Sequence, residues 1–121
     1  MAIRNRRRTT ESDLVRQCLD YLALNGVFAW RSNNAGVRRR DRSGREFWHF
    51  AGLRGVSDVL GVLPGGRLLA IECKSATGPI RPEQLAFLAR VTELGGLAFI
   101  CRSLDDLIAA LRLEDVTSPA P

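Results

Sequence analysis

The segments VSDVLG (residues 56–61) and LLAIECK (residues 68–74), separated by PGG at residues 64–66, carry the pattern on which the rest of the chain depends. Both are rich in aliphatic residues, and the proline and glycines between them favour a tight turn, so we predict two short neighbouring strands. Ionic side chains interrupt this apolar hairpin at Asp58, Glu72 and Lys74. Buried charge is costly unless it is paired or bound to a metal, so these three residues require an explanation.

The alternation of a strand brings these charges together. Residues two apart point to the same face, so Glu72 and Lys74 lie side by side while Ile71 and Cys73 take the opposite face. Asp58, on the neighbouring strand, can reach the same spot.

Lys74 is the only lysine among 18 basic residues, all others being arginine. An ammonium group is compact and its pKa falls readily on burial, so it can orient or deprotonate a water, which a guanidinium does poorly. Two carboxylates and one lysine that converge predict a site for a hard divalent cation and an activated water.

Length and composition indicate one soluble domain. A chain of 121 residues with 45% hydrophobic and 26% charged residues is ordinary for a globular protein. No apolar run approaches the roughly 20 residues needed to cross a bilayer, and the arginine-rich N-terminus lacks the apolar core of a signal peptide. We therefore expect an intracellular, cytoplasmic protein without a membrane partner.

The three cysteines, Cys18, Cys73 and Cys101, are widely spaced, form no CxxC pair and fall in segments predicted as core. We predict buried apolar positions rather than disulfides or a zinc site.

Charge is strongly polarised along the chain. The net charge is +5, with 11 arginines against 4 acidic residues in positions 1–45 and 7 basic against 9 acidic residues in positions 46–121. An arginine-rich half favours a polyanionic partner, because phosphate backbones attract arginine without regard to sequence. The alternative is a solvated basic face that only aids solubility.

Capping signals and hydrophobic periods predict a regular order of elements. A flexible basic arm (residues 1–9) precedes a helix that is capped by Thr9 or Thr10 and stopped by Gly26. A strand at 27–31, a hairpin turning at 41–44 and the central hairpin follow. The chain then continues with a helix at 82–94, a strand at 97–101, a helix at 104–113 capped by Ser103 with Asp106, and a flexible tail (114–121). This order predicts an α/β fold over residues 10–113, with a mixed central β-sheet flanked by helices and the site at one end of the sheet.

Two further side chains are predicted to face that site. Glu11 lies on the inward stripe of the first helix, where an acid either compensates the helix dipole or supplies a third carboxylate. Gln84 lies in the first turn of the helix opened by Pro82, one turn before Leu88, so its amide faces inward as well.

Arginines of the second hairpin adjoin Phe47, Trp48 and Phe50. Basic residues interleaved with aromatic rings suit nucleic acid, although each ring could equally pack against the sheet. The candidate DNA contacts are Arg6, Arg7, Arg8, Arg31, Asn33, Arg38, Arg39, Arg40, Arg42, Arg45, Arg54 and Arg81.

Five motifs occur in order: RxNxxG (31–36), GxSDxxG (55–61), IExK (71–74), GxxRxEQxxFL (78–88) and GG (95–96). The set resembles the VRR-NUC branch, the virus-type replication-repair nucleases, of the PD-(D/E)xK nuclease superfamily, over roughly residues 10–105. Glu-x-Lys alone is a weak signal, but the ordered set is specific. Ser57 stands where the proline that names the superfamily would precede Asp58.

The resemblance implies a restriction-endonuclease-like fold and a phosphodiesterase that uses Mg²⁺ or Mn²⁺. The implied metal ligands are Asp58, Glu72, the main-chain carbonyl of Cys73 and, directly or through water, Glu11. Lys74 would position the attacking water, and Gln84 would orient the cluster.

Small stand-alone members are similar to junction-resolving homodimers, often of viral or prophage origin, whereas larger members act as monomers on flapped or cross-linked DNA. We therefore expect a DNA endonuclease that cuts four-way (Holliday) junctions as a homodimer, with a flap or other branched-DNA nuclease as the alternative. A restriction-type enzyme is less favoured, since no further segment is seen that could read bases.

Two hypotheses without nuclease activity compete with this one. The first is a non-catalytic DNA-binding module, which would explain the arginines equally well but has no need for Asp58, Glu72 and Lys74 together. The second is an α/β protein with a purely structural charge cluster, for which Lys74→Met would be neutral or stabilising.

Overall fold

The computed structural model describes residues 9–32, 37–49 and 52–114, without the side chains at 37, 38, 48 and 49. The predicted arm up to Arg8, Asn33, Phe50 and the tail from residue 115 lie outside the described residues. The elements are α1 (Glu11–Leu24), β1 (Phe28–Arg31), β2 (Val37–Arg40), β3 (Glu46–His49), β4 (Val59–Val62), β5 (Leu68–Cys73), α2 (Pro82–Glu93), β6 (Leu97–Cys101) and α3 (Leu104–Leu113).

The central sheet has four strands in the order β1-β4-β5-β6. β4 runs antiparallel to both β1 and β5, whereas β6 is parallel to β5. A parallel neighbour requires a long crossover, which α2 supplies. β5 is central and five of its six residues are buried, which explains why its sequence is an almost continuous apolar run. The predicted mixed sheet flanked by helices is confirmed.

Helices cover the two faces of this sheet. α1 and α3 pack on one face around a core that includes Leu22, Ile71 and Leu107, each fully buried. α2 packs on the other face through Leu88 and Val91. Successive residues of a strand point to opposite faces. Since Ile71 points into the core under α1 and α3, the next residue, Glu72, points to the face covered by α2.

The first helix begins and ends where its capping residues predict. The hydroxyl of Thr10 accepts the main-chain N–H of Asp13 at 3.0 Å, and the Asp13 carboxylate accepts the N–H of Thr10 at 3.2 Å. This reciprocal pair is a capping box. At the other end, Gly26 takes a φ of 70°, a left-handed conformation that glycine adopts without strain.

β2 and β3 form a separate two-stranded hairpin with the predicted turn. The Asp41 carboxylate holds that turn by accepting the main-chain N–H groups of Ser43 at 2.8 Å and Arg45 at 3.0 Å. Four of the predicted DNA-contacting arginines are exposed on this hairpin: Arg39, Arg40, Arg42 and Arg45.

A few predicted boundaries were wrong. β4 begins at Val59, so Asp58 precedes the strand instead of lying within it, and α2 ends at Glu93. Ser103 is the N-cap of α3 but its side chain makes no capping hydrogen bond. The Asp106 carboxylate accepts the N–H of Arg102 at 2.8 Å instead, which satisfies a main-chain donor just before the helix.

All three cysteines are free and buried, as predicted for core positions. The sulfurs of Cys18 and Cys101 are 3.7 Å apart. Hydrogen bonds to the neighbouring thiols, followed by burial, raise the pKa of Cys73 far above its ordinary value, so this thiol is protonated at neutral pH. Within the described ranges, no helix is long and apolar enough to span a membrane.

Candidate active site

Glu72 is the most unusual charged residue of the sheet, because only 2% of its surface is exposed. Its Oε1 accepts a hydrogen bond from Nε2 of Gln84 at 2.8 Å and lies 3.8 Å from Nζ of Lys74. Its Oε2 is buried and has no hydrogen-bond partner among the described residues. A buried carboxylate oxygen without a donor costs free energy, so this atom indicates a place where a positive ligand would bind.

The environment of Glu72 favours its protonated form. Burial, followed by the nearby negative charge of Asp58, raises the pKa of Glu72 to about 8. The Lys74 ammonium opposes that shift, and the Glu11 carboxylate adds to it. Two acidic groups that repel in a low-dielectric site are a known signature of functional sites.

Asp58 lies just before β4 and is hydrogen-bonded to residues at the ends of β1 and β5. Its Oδ2 accepts the main-chain N–H of Cys73 at 2.9 Å, and its main-chain oxygen accepts the N–H of Ser32 at 2.7 Å. The Asp58 carboxylate is also close enough to Glu72 for its charge to raise the pKa of Glu72. The two predicted carboxylates therefore meet, although 14 positions separate them in the sequence.

Lys74 follows the last residue of β5 but keeps the strand direction. Its main-chain N–H donates to the carbonyl oxygen of Cys101 at 3.0 Å, which extends the parallel pairing with β6 by one bond. The side chain therefore stays on the face of Glu72, with 9% of the residue exposed. An ammonium this buried next to a carboxylate is suited to hold a water or a phosphate oxygen.

Glu11 reaches the edge of the site through the loop after β5. Its Oε1 accepts the N–H of Ser75 at 3.3 Å. The Arg102 guanidinium braces the same loop, donating to the carbonyl oxygens of Ser75 at 2.6 Å and Gly78 at 3.1 Å. A Cβ at Gly78 would lie 3.2 Å from the Glu11 carboxylate and 2.9 Å from the Ser75 hydroxyl, so a larger residue here would push against both side chains.

Gly55 places the Asp58 segment against the start of α2. Its φ is 80°, and an added Cβ would lie 2.3 Å from the main-chain oxygen of Glu83. This contact aligns Asp58 with Gln84, the neighbour of Glu83. The two glycines at positions 52 and 55 indicate from the sequence a close approach of a backbone or phosphate, and at Gly55 that partner is the main chain of Glu83. Sequence reasoning missed the role of Arg102, which no signal marked.

The predicted site residues therefore converge to different degrees. Asp58, Glu72, Lys74 and Gln84 form one cluster, and Glu11 lies at its edge. Arg31, Arg54 and Arg81 are exposed around the sheet and the start of α2. Arg6, Arg7, Arg8, Asn33 and the side chain of Arg38 lie outside the described residues.

The donor set suits a hard divalent cation. In the described part of the chain, no three His, Cys, Asp or Glu side chains are grouped so that they could hold an ion by themselves. Mg²⁺, however, is commonly bound by one or two carboxylates, with water and substrate phosphate completing the shell. The paired carboxylates of Asp58 and Glu72, with Oε2 of Glu72 unpartnered, fit this type of site.

A groove of about 750 Å³ runs along α2, from Glu83 to Leu94. Its lining includes Leu53, Phe87 and Leu94 but none of Asp58, Glu72, Lys74 or Gln84.

A scan against protein-family models matches residues 45–105 to the VRR-NUC domain. No curated protein and no solved structure matches the chain. The matched stretch is half of the chain and contains Asp58, Glu72, Lys74 and Gln84, the four side chains that converge. The chain therefore belongs to the VRR-NUC family of nucleases, within the PD-(D/E)xK superfamily.

Proposed function

We propose that this nuclease is a divalent-metal-dependent, structure-selective DNA endonuclease that hydrolyses phosphodiester bonds at four-way junctions as a homodimer. The observation that carries the metal-dependent chemistry is the buried Glu72 carboxylate, which has one oxygen without a donor and lies beside Asp58 and Lys74.

Asp58 and Glu72 would hold Mg²⁺ or Mn²⁺, together with the main-chain carbonyl of Cys73 and, directly or through water, Glu11. When bound, such a cation supplies charge stabilisation at the phosphate and lowers the pKa of a coordinated water. It would also offset the repulsion that now raises the pKa of Glu72.

Lys74 has a separate role in this proposal. Its ammonium is held on the carboxylate face by the main-chain bond to Cys101. From there it orients the attacking water and stabilises the negative charge that develops on the phosphate oxygens. Gln84 keeps the Glu72 carboxylate in one orientation by donating to Oε1.

The charge distribution supports DNA as the substrate. Arginines exposed on the β2–β3 hairpin and around the sheet can neutralise phosphates, and this contact is insensitive to base sequence. When most protein contacts are with the DNA backbone, the protein distinguishes DNA by its shape rather than by its base sequence.

A junction is resolved by cuts in two strands, and a symmetric dimer supplies two identical active sites for them. The same two-fold axis would double the arginine surface presented to the DNA.

The test is cleavage of end-labelled single-stranded, duplex, flap and four-way-junction DNA with Mg²⁺, Mn²⁺ or EDTA. Lys74→Ala is compared with wild type, and Arg90→Ala serves as a control because Arg90 is exposed further along α2. We expect paired incisions in the junction that require metal and disappear only in Lys74→Ala. Sedimentation of the free protein and of its junction complex measures the dimer.

Cleavage that persists in EDTA or in Lys74→Ala would contradict the chemistry. A preference for flaps over junctions would make flapped DNA the substrate in place of the four-way junction. A monomer bound to the junction would contradict the proposed homodimer. Binding without cleavage in every metal would leave a DNA-binding module.

A further inference from the structure

Two aromatic side chains are exposed on β1, one of the two edge strands of the central sheet. Phe28 is 70% exposed and Trp30 is 40% exposed. Their ring centroids are 5.2 Å apart with an interplanar angle of 48°. Exposed rings that contact each other on a regular strand form a preorganised apolar surface, which indicates a binding role more strongly than scattered apolar residues do.

These rings lie on the same face of the sheet as the carboxylates. Trp30 pairs with Leu60, and Leu60 pairs with Ala70. Ala70 and Leu60 pack under α2, and Glu72 follows Ala70 by two positions, so all of them share that face. Trp30 therefore occupies the row next to that of Asp58 and Glu72, at a spacing of about 7 Å along the strands.

The end of β1 is tied directly to the active site. The N–H of Ser32 donates to the main-chain oxygen of Asp58 at 2.7 Å. Because α2 packs on β5 and β6, it leaves the β1 side of this face open among the described elements. Arg31 follows Trp30 and is exposed, so a phosphate can be neutralised next to the ring.

We propose that Trp30, backed by Phe28, is a stacking platform for an unpaired nucleobase beside the scissile phosphate. The spacing of about 7 Å along the strands between the two rows is on the order of one nucleotide step of an extended strand. A duplex keeps its bases stacked inside, so only a base that is unpaired, or that is flipped out of the stack at a branch point, could use the platform. The inference rests on the proposed nuclease function, and it names the feature of the substrate that is selected.

The test compares two substrates of identical sequence that contain a short unpaired segment, one with normal bases and one with abasic sites at the unpaired positions. Affinity is measured by fluorescence anisotropy in EDTA at fixed salt, so it does not depend on cleavage; kcat/KM is measured separately with Mg²⁺. The variants are Trp30→Ala, Trp30→Phe and Phe28→Ala. Leu113→Ala is the control, since Leu113 is 88% exposed on α3, across the sheet.

We expect Trp30→Ala to lower affinity for the normal unpaired substrate by about 5- to 150-fold, the range measured for stacking of one base. It should leave affinity for continuous duplex and for the abasic substrate unchanged, and Trp30→Phe should keep most of the affinity. The comparison of normal and abasic substrates can be made with the wild-type protein alone, so the test holds even if a variant fails to fold.

Equal affinity of wild type for normal and abasic substrates would overturn the proposal. So would an equal loss for duplex and unpaired DNA in Trp30→Ala, or a dimer that becomes a monomer in that variant, which would assign the rings to an interface between copies. Binding that depends on the unpaired bases, without any cleavage, would support the stacking platform and refute the nuclease function. Cleavage that does not depend on those bases would support the nuclease function and refute the platform.

Discussion

Nε2 of Gln84 lies 2.8 Å from Oε1 of Glu72, and the carbonyl oxygen of the same Gln84 side chain accepts the main-chain N–H of Arg81 at 2.9 Å. A main-chain N–H can only donate, so the amide of Gln84 is forced to turn its NH₂ group toward Glu72. The first turn of α2 thereby delivers a fixed donor to one carboxylate oxygen and leaves the other for a ligand.

Gln84→Ala should therefore lower kcat/KM by about 10- to 100-fold, because a supporting hydrogen bond to a metal-ligating group is lost. The Mg²⁺ concentration needed for half-maximal activity should rise as well. Gln17→Ala, on the exposed side of α1, is the matched control. Wild-type metal dependence in Gln84→Ala would show that Glu72 needs no such support.

The free energy of unfolding of the metal-free protein should fall as pH rises from about 4.5 to about 8, because the native state keeps the Glu72 proton in this interval and the unfolded chain releases it. Glu72→Gln carries no titrating group and should lose this slope. The check is the melting temperature in EDTA at pH 6 and pH 9. Glu93→Gln, an exposed acid of α2, should behave as wild type; a Glu72→Gln curve that parallels wild type would contradict the raised pKa.

Gly55→Ala should destabilise the protein more than Gly66→Ala does. Both glycines have a positive φ, near 80° and 85°, but a Cβ at Gly66 meets nothing within 4 Å. Gly66→Ala therefore measures backbone strain alone, about 1–2 kcal/mol. Gly55→Ala adds a clash with the main chain at Glu83, worth roughly a further 1–3 kcal/mol, and should also reduce cleavage. Equal denaturation midpoints for the two variants would contradict the contact.

Arg102→Ala should act through Glu11. The guanidinium holds the loop whose Ser75 N–H binds the Glu11 carboxylate, so removing either side chain loosens the same contact. We expect each of Arg102→Ala and Glu11→Gln to lower kcat/KM about 10-fold, with a double variant little worse than either single one. Arg112→Ala, exposed near the end of α3, controls for lost charge. Fully additive losses of kcat/KM in the double variant would show that Arg102 and Glu11 act independently.

Much of the fold follows from local chemistry. The capping box at Thr10, the glycine after α1, the proline that opens α2 and the turn at Asp41 are short-range signals, and each element lies where those signals predict. Strand alternation also placed Glu72 and Lys74 on one face, because the period of a strand is a property of the backbone alone.

The features of the site that depend on contacts between distant segments could be known only from the tertiary structure. The register of β4 with β5 brings Asp58 to Glu72, and the docking of α2 leaves one oxygen of Glu72 without a donor. The brace from Arg102, the close approach at Gly55 and the exposed rings beside the site depend on segments 24 or more positions apart. Local propensity cannot encode such distances, since they arise only when helices and strands pack into one core.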